Sequence, residues 1–173
     1  MLQDLERGRR ALRDAVEGIG ERQAAIRPGP DRWSVLDCVE HLAVVEEFLL
    51  AQLESAGPAL EPVGSAAREA RIQERAGDRS RPVEAPEAAR PRGRFRTLVE
   101  ALQHFENVRT RTMRFVESCE LDLRRQATTH PLIGAVNCHE TLLMMALDPV
   151  RHARQIAEIR AADPNAADGR RRC

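Results

Sequence analysis

The sequence is poor in aromatic residues and contains no Lys and no Tyr. Aromatic side chains make up 3% of its 173 residues, and Trp33 is the single tryptophan. The core must therefore be built from Leu, Val, Ala and Ile. Because β-sandwiches and barrels favour β-branched and aromatic residues, such a core suits helices better. This composition predicts an all-α fold.

Long hydrophobic runs are also lacking. No apolar run reaches the roughly 20 residues that a membrane span needs, so we expect no membrane partner. Residues 1–7 show no apolar stretch of a signal peptide, which predicts a cytoplasmic protein. Four cysteines occur without CxxC spacing, and in the cytoplasm they are expected to be reduced thiols. They are Cys38, Cys119, Cys138 and Cys173.

The chain has no excess of charge of either sign. Its 27 basic residues balance 27 acidic ones. Since nucleic-acid-binding proteins are normally basic, this balance predicts that the chain does not bind nucleic acid. All the basic residues are Arg, a pattern typical of a GC-rich genome. They are scattered among Glu and Asp, so the sequence indicates no clear anion-binding subsite for a substrate.

Apolar residues at helical spacing predict four long helices in one domain, residues 1–162. The predicted helices span residues 2–26, 34–54, 94–120 and 137–162. The long connection 57–94, with a short polar helix at 65–76, predicts a four-helix bundle with one crossover. Trp33 is expected to plug one end of the bundle. Residues 163–173 are predicted to be a disordered, Arg-rich tail, whose arginines 170–172 offer a minor anion-binding alternative.

Two histidines and one aspartate form the best candidate metal site. His41 lies beside the apolar stripe of the second helix, and His152 follows Asp148 by four residues, so the latter two share a helix face. One inward His together with such a pair is a way in which helix bundles bind metals. Two His and one carboxylate also leave coordination positions open for a substrate.

The remaining histidines are weaker candidates. His104 lies off the apolar stripe of its helix and is expected to be solvated. His139 points away from Asp148 by about half a turn of the helix. His130 lies in a predicted turn at 130–134 and is expected to be structural, although it is the next candidate if a third ligand lies elsewhere. Cys38 is expected to be a small core residue.

Pro149 leaves two interpretations of Asp148 open. In the first, the fourth helix continues and Asp148 is a metal ligand at a kink. In the second, Asp148 caps a new helix that Pro149 begins, so its carboxylate binds backbone N–H groups and the metal site is lost. The second interpretation predicts a metal-free bundle that acts as a binding or dimerisation module.

Four segments of the sequence resemble the DinB-like superfamily. Residues 32–42 match its W-S-x-x-(D/E)-x-x-x-H-L helix start, and residues 130–137 match its HP-x-x-G-x-x-N turn. Residues 151–156 resemble the end of its H-x-x-R-H-x-x-Q-I helix, and residues 81–94 resemble the crossover of some members. The resemblance covers about residues 30–160.

This resemblance implies a four-helix bundle, often dimeric, that binds a divalent ion, usually zinc or nickel, through three histidines. His41 would be the first ligand and His152 the third. Asp148 stands where the family has its second histidine. Characterised relatives include S-transferases and an isomerase that use low-molecular-weight thiols, and others are called metal-dependent hydrolases. A small-molecule substrate is therefore expected.

Overall fold

The computed structural model describes residues 1–76, 78–79, 84–130 and 133–162. The predicted tail 163–173 lies outside these residues, so the structure does not test it. Within the described part, six α-helices and one short 3-10 turn make up most of the chain. The helices are α1 (Leu2–Val16), α2 (Glu21–Ala24), α3 (Val35–Glu54), α4 (Ala66–Ala76), α5 (Leu98–Ser118) and α6 (Cys138–Ala162), and the 3-10 turn is Glu87–Ala89.

The four long helices pack as a bundle. The helix α1 packs against α6 and α5, and α3 packs against α5 and α6. The crossover between α3 and α5 carries α4, which packs along α6. The predicted bundle with one long crossover is therefore confirmed. None of the described helices is both long and apolar enough to cross a membrane.

Hydrogen-bonding side chains set where the helices begin. Ser34 and Asp37 form a reciprocal capping box at the start of α3. Thr97 and Glu100 form another at the start of α5, so this helix begins at Leu98 rather than at residue 94. The predicted first helix is also too long, because α1 ends at Val16 and Gly18 adopts a positive φ of 74°.

The prediction omitted a small antiparallel sheet. Its strands are β1 (Gly57–Pro58), β2 (Gln126–His130) and β3 (Gly134–Asn137), in the order β1-β2-β3. In the β2–β3 hairpin His130 pairs with Gly134, so the predicted turn lies at its tip. The tip residues 131–132 lie outside the described residues. This sheet connects the ends of α3 and α5 to the beginning of α6.

A buried arginine joins all four bundle helices. Arg109 of α5 is fully buried, and its guanidinium donates two hydrogen bonds to the Glu46 carboxylate of α3, at 2.7 and 2.9 Å. It also donates to the carbonyl oxygens of Leu5 in α1 and Met145 in α6, both at 2.7 Å. Every bundle helix thus supplies one partner to this group, which we call the Arg109 junction.

We expect Arg109→Ala to lower the free energy of unfolding by about 3–5 kcal/mol, because it leaves the buried Glu46 carboxylate without its counter-charge. The matched control is Arg111→Ala on the same helix, since Arg111 is exposed and pairs with Glu54 at the surface. The control should cost less than about 1 kcal/mol. Urea unfolding followed by circular dichroism measures both, and equal losses would contradict the prediction.

Candidate metal centre

The structure brings the three predicted site residues together. His41 lies on α3, whereas Asp148 and His152 lie one turn apart on α6. One nitrogen or oxygen atom of each lies within 4.8 Å of the other two. The Nε2 atom of His41 is 3.6 Å from Oδ2 of Asp148, and Nε2 of His152 is 3.5 Å from Oδ1. The Asp148 carboxylate therefore lies between the two imidazole rings.

The helix α6 continues through Pro149 without a break. The interpretation in which Asp148 caps a new helix is therefore wrong, and its carboxylate faces the histidines instead. Pro149 has no N–H group, so the carbonyl of Met145, four residues earlier, loses its usual helical donor. The buried guanidinium of Arg109 donates to that same carbonyl oxygen. This replacement bond explains how the proline is accommodated.

A backbone carbonyl of the crossover orients His41. The Nδ1–H group of His41 donates to the carbonyl oxygen of Ala89 at 2.7 Å. The proton is thereby held at Nδ1, which leaves the lone pair of Nε2 directed towards Asp148. Such a bond to the second ring nitrogen is typical of histidines that bind metals.

Sequence reasoning missed the role of Glu40. This buried carboxylate accepts hydrogen bonds from the backbone N–H groups of Arg92 and Arg94, at 2.6 and 3.1 Å. It thereby fixes the end of the crossover whose 3-10 turn carries Ala89. The contact spans about 50 residues of chain, and no local pattern in the sequence signals it.

Trp33 also does more than plug the bundle. Its ring centroid lies 4.9 Å from that of His41 and 5.9 Å from that of His152, and it stacks on His152 with an interplanar angle of 11°. The two imidazole centroids are 4.9 Å apart. The indole thus restricts both rings and keeps water from one side of them.

The three groups differ in protonation. Burial raises the pKa of Asp148, but His152, His41 and Arg151 outweigh that effect and lower it to about 2. Burial lowers the pKa of His152 to about 4, which Asp148 only partly offsets. Burial also disfavours the charged form of His41, yet its contacts with Asp148 and Ala89 raise its pKa above the ordinary value.

These residues fit a divalent metal ion. Two imidazole nitrogens and one ionised carboxylate form a recognised ligand set that leaves positions open. Ligand atoms about 2.1 Å from a tetrahedral ion lie about 3.4 Å apart, close to the 3.5 and 3.6 Å observed from Asp148. In addition, Nδ1 of His152 is buried without a hydrogen-bond partner among the described residues.

The other histidines and Cys38 do not join this group. His104 is half-buried beside Phe95 and Glu47 rather than fully solvated. His139 pairs with Glu69, and Cys38 is a buried core residue as expected. His130 lines the same cleft as the cluster, and burial lowers its pKa.

The cluster opens into a cleft of about 1270 Å³ between the crossover, α3 and α6. Its walls combine apolar side chains such as Phe48 and Met144 with several arginines. The site is therefore accessible to a small molecule, and the open side of the cluster faces that space.

The pKa differences predict two separate histidine titrations in the metal-free protein. At about pH 5.5 we expect His41 to carry a proton and His152 to be neutral, because the folded pKa values lie on opposite sides of that pH. Nitrogen-15 NMR of the imidazole rings, in the presence of a chelator, measures this. A common titration of both rings near pH 6.5 would contradict it.

Comparison with known proteins agrees with this architecture. No curated protein matches the chain. Among solved structures, YfiT from Bacillus subtilis aligns with a TM-score of 0.57 and 17% identity, over 92% of this chain and 83% of its own. YfiT is described as "a probable metal-dependent hydrolase with an unusual four-helix bundle topology". The sequence profile of the DinB superfamily matches residues 4–156. The chain therefore belongs to the DinB superfamily.

Proposed function

We propose that this protein is a metal-dependent enzyme of the hydrolase type, with zinc or nickel bound by His41, Asp148 and His152. The observation that carries the proposal is the close approach of these three side chains on the wall of an open cleft. The description of YfiT supports it, as does membership of the same superfamily.

The residues around the cluster prepare it for an ion. Asp148 is ionised and His152 is neutral at neutral pH, so neither must lose a proton before binding. His41 is oriented by Ala89, and Trp33 covers both rings. A divalent ion held there would lower the pKa of a coordinated water or thiol and so supply a nucleophile at neutral pH.

A thiol S-transferase is the second candidate activity. The cleft volume of about 1270 Å³ exceeds the usual range for the site of one small ligand, about 300–1000 Å³. There is therefore room for a low-molecular-weight thiol beside a second substrate. In that activity the thiol, rather than water, would be the nucleophile.

The alternative of a metal-free binding module predicted a helix broken at Asp148. The continuous α6, with Asp148 and His152 both facing His41, supports the metal-binding proposal instead. From the family resemblance we also propose a homodimer located in the cytoplasm. Sedimentation equilibrium of the purified chain measures the oligomeric state.

Metal binding can be followed through the single tryptophan. Because Trp33 contacts both histidine rings, we expect Ni²⁺ to quench its fluorescence with a stoichiometry of one ion per chain. Each of His41→Ala, Asp148→Ala and His152→Ala should weaken Ni²⁺ binding more than about a hundredfold, since even the loss of an outer contact costs about 10–100-fold. An untagged, chelator-free preparation is required.

His104→Ala is the matched control, because His104 is half-buried outside the cluster. It should leave the Ni²⁺ affinity unchanged. Binding that survives Asp148→Ala but not His41→Ala would assign the third ligand elsewhere, with His130 as the next candidate. The absence of Ni²⁺ and Zn²⁺ binding in the unaltered protein would refute the metal-dependent proposal.

The two candidate activities predict different dependence on thiol. If water is the nucleophile, the zinc- or nickel-loaded protein should hydrolyse activated aryl esters at a rate independent of added thiol. If a thiol is the nucleophile, turnover of an electrophile such as an aryl halide should require it. In both cases Asp148→Ala should abolish the rate, whereas His104→Ala should not. Turnover that is unaffected by Asp148→Ala would contradict both mechanisms.

A further inference from the structure

The charge of the cleft differs from that of the whole chain. The chain is neutral overall, yet the residues lining the cleft include eight arginines and only four acidic residues. Arginines that are scattered along the sequence are thus gathered at one place by the fold. The sequence-based expectation of no anion-binding subsite must be reconsidered on this geometry.

Several of these arginines are already engaged within the protein. Arg27 pairs with Asp37, Arg90 pairs with Glu84 and Glu87, and Arg151 donates to the backbone carbonyl of Asp78. Their guanidinium groups hold the crossover and helix ends in position. They are therefore less available to a ligand.

Arg71 and Arg75 differ from them. They lie four residues apart on α4, both line the cleft, and both are exposed. Neither side chain has an ion-pair or hydrogen-bond partner within the residues that the structure describes. Two guanidinium groups at this spacing lie on the same face of a helix, so a single anion can contact both.

The helix that carries them is fixed on both sides. Arg68, one turn earlier, donates to the fully buried Glu140 carboxylate and to the carbonyl oxygen of Ala135. Arg79, just beyond the helix, donates to Glu158 and Gln155 of α6. The backbone that presents Arg71 and Arg75 to the cleft is thus anchored to α6, the helix that carries Asp148 and His152.

We propose that Arg71 and Arg75 form an anion subsite that binds a carboxylate or phosphate group of the substrate. This inference rests on the proposed function, because it places the reactive group of the same molecule at the metal cluster. A guanidinium group binds such an oxyanion through two parallel N–H donors. The substrate class is therefore an anionic compound rather than a neutral one.

The apolar part of the cleft specifies the remainder of the ligand. Ile72 lies between the two arginines in sequence, and Phe48, Ile133 and Met144 also line the space. Phe48 and Ile133 are about half exposed, at 46% and 49%. An apolar body, aromatic or aliphatic, can cover these side chains while its acidic group binds the arginines.

The test uses probes that differ only in their anionic group. Fluorine NMR measures the binding of para-trifluoromethylbenzoate, para-trifluoromethylphenyl phosphate and the neutral para-trifluoromethylbenzamide to the full chain. Binding is measured in chelator and again with Zn²⁺. The Arg71→Gln/Arg75→Gln variant is compared with Arg10→Gln/Arg114→Gln, which removes the same charge from exposed positions outside the cleft.

We expect one or both anionic probes to bind the unaltered protein, and the amide to bind at least about tenfold more weakly. Arg71→Gln/Arg75→Gln should weaken anion binding by about tenfold or more, with and without Zn²⁺, while the control variant does not. Preference for the benzoate or the phosphate identifies which oxyanion the subsite takes. The quenching of Trp33 by Ni²⁺ should be the same in both variants.

Three outcomes would overturn the inference. The amide binds as well as the benzoate, both double variants lose binding equally, or His41→Ala removes binding while Arg71→Gln/Arg75→Gln does not. The last result would assign the anion to the histidine cluster. Because probe binding in chelator and Ni²⁺ binding are separate measurements, failure of the anion subsite is distinguishable from failure of the metal site.

Discussion

The fold depends on one buried charge, the guanidinium of Arg109. It satisfies the Glu46 carboxylate and two backbone carbonyls, so that each of the four bundle helices provides an acceptor. Thr112 donates to Glu46 as well. A buried ion pair of this kind is stable only when its hydrogen bonds are complete, and here they are complete only when all four helices are in place. The junction therefore favours a single arrangement of the bundle over other packings of similar hydrophobic helices.

The same junction affects the metal cluster through Pro149. The proline removes the donor of the Met145 carbonyl, and Arg109 replaces it. Since α6 consequently continues as a helix, Asp148 and His152 stay on one face and meet His41 across the helix interface. Close packing contributes too, because a Cβ atom at Gly8 of α1 would lie 2.3 Å from the carbonyl oxygen of Ala146. The position of the cluster is thus a consequence of how the bundle packs at its centre.

Local patterns in the sequence predicted the features that depend on local physics. The capping box at Ser34, the helical spacing of apolar residues and the i, i+4 relation of Asp148 and His152 each require only neighbouring residues. The small sheet was missed because β2 is short and largely polar and pairs with distant segments. Likewise, Arg109 resembles any polar helix residue in sequence, and its effect on Pro149 acts across 36 residues. Features that depend on long-range partners could not be predicted from one sequence.

The substitution of Asp148 for a third histidine is consistent with the charge of its surroundings. A divalent ion with three neutral imidazoles keeps its full double positive charge, and the cleft already contains eight arginines. An ionised Asp148 lowers the charge of the cluster by one unit, and its depressed pKa keeps it ionised. This reduces the repulsion between an ion and nearby guanidinium groups such as Arg151. The carboxylate ligand and the arginine-rich cleft are therefore compatible parts of one electrostatic arrangement, in which positive charge remains available to an anionic substrate.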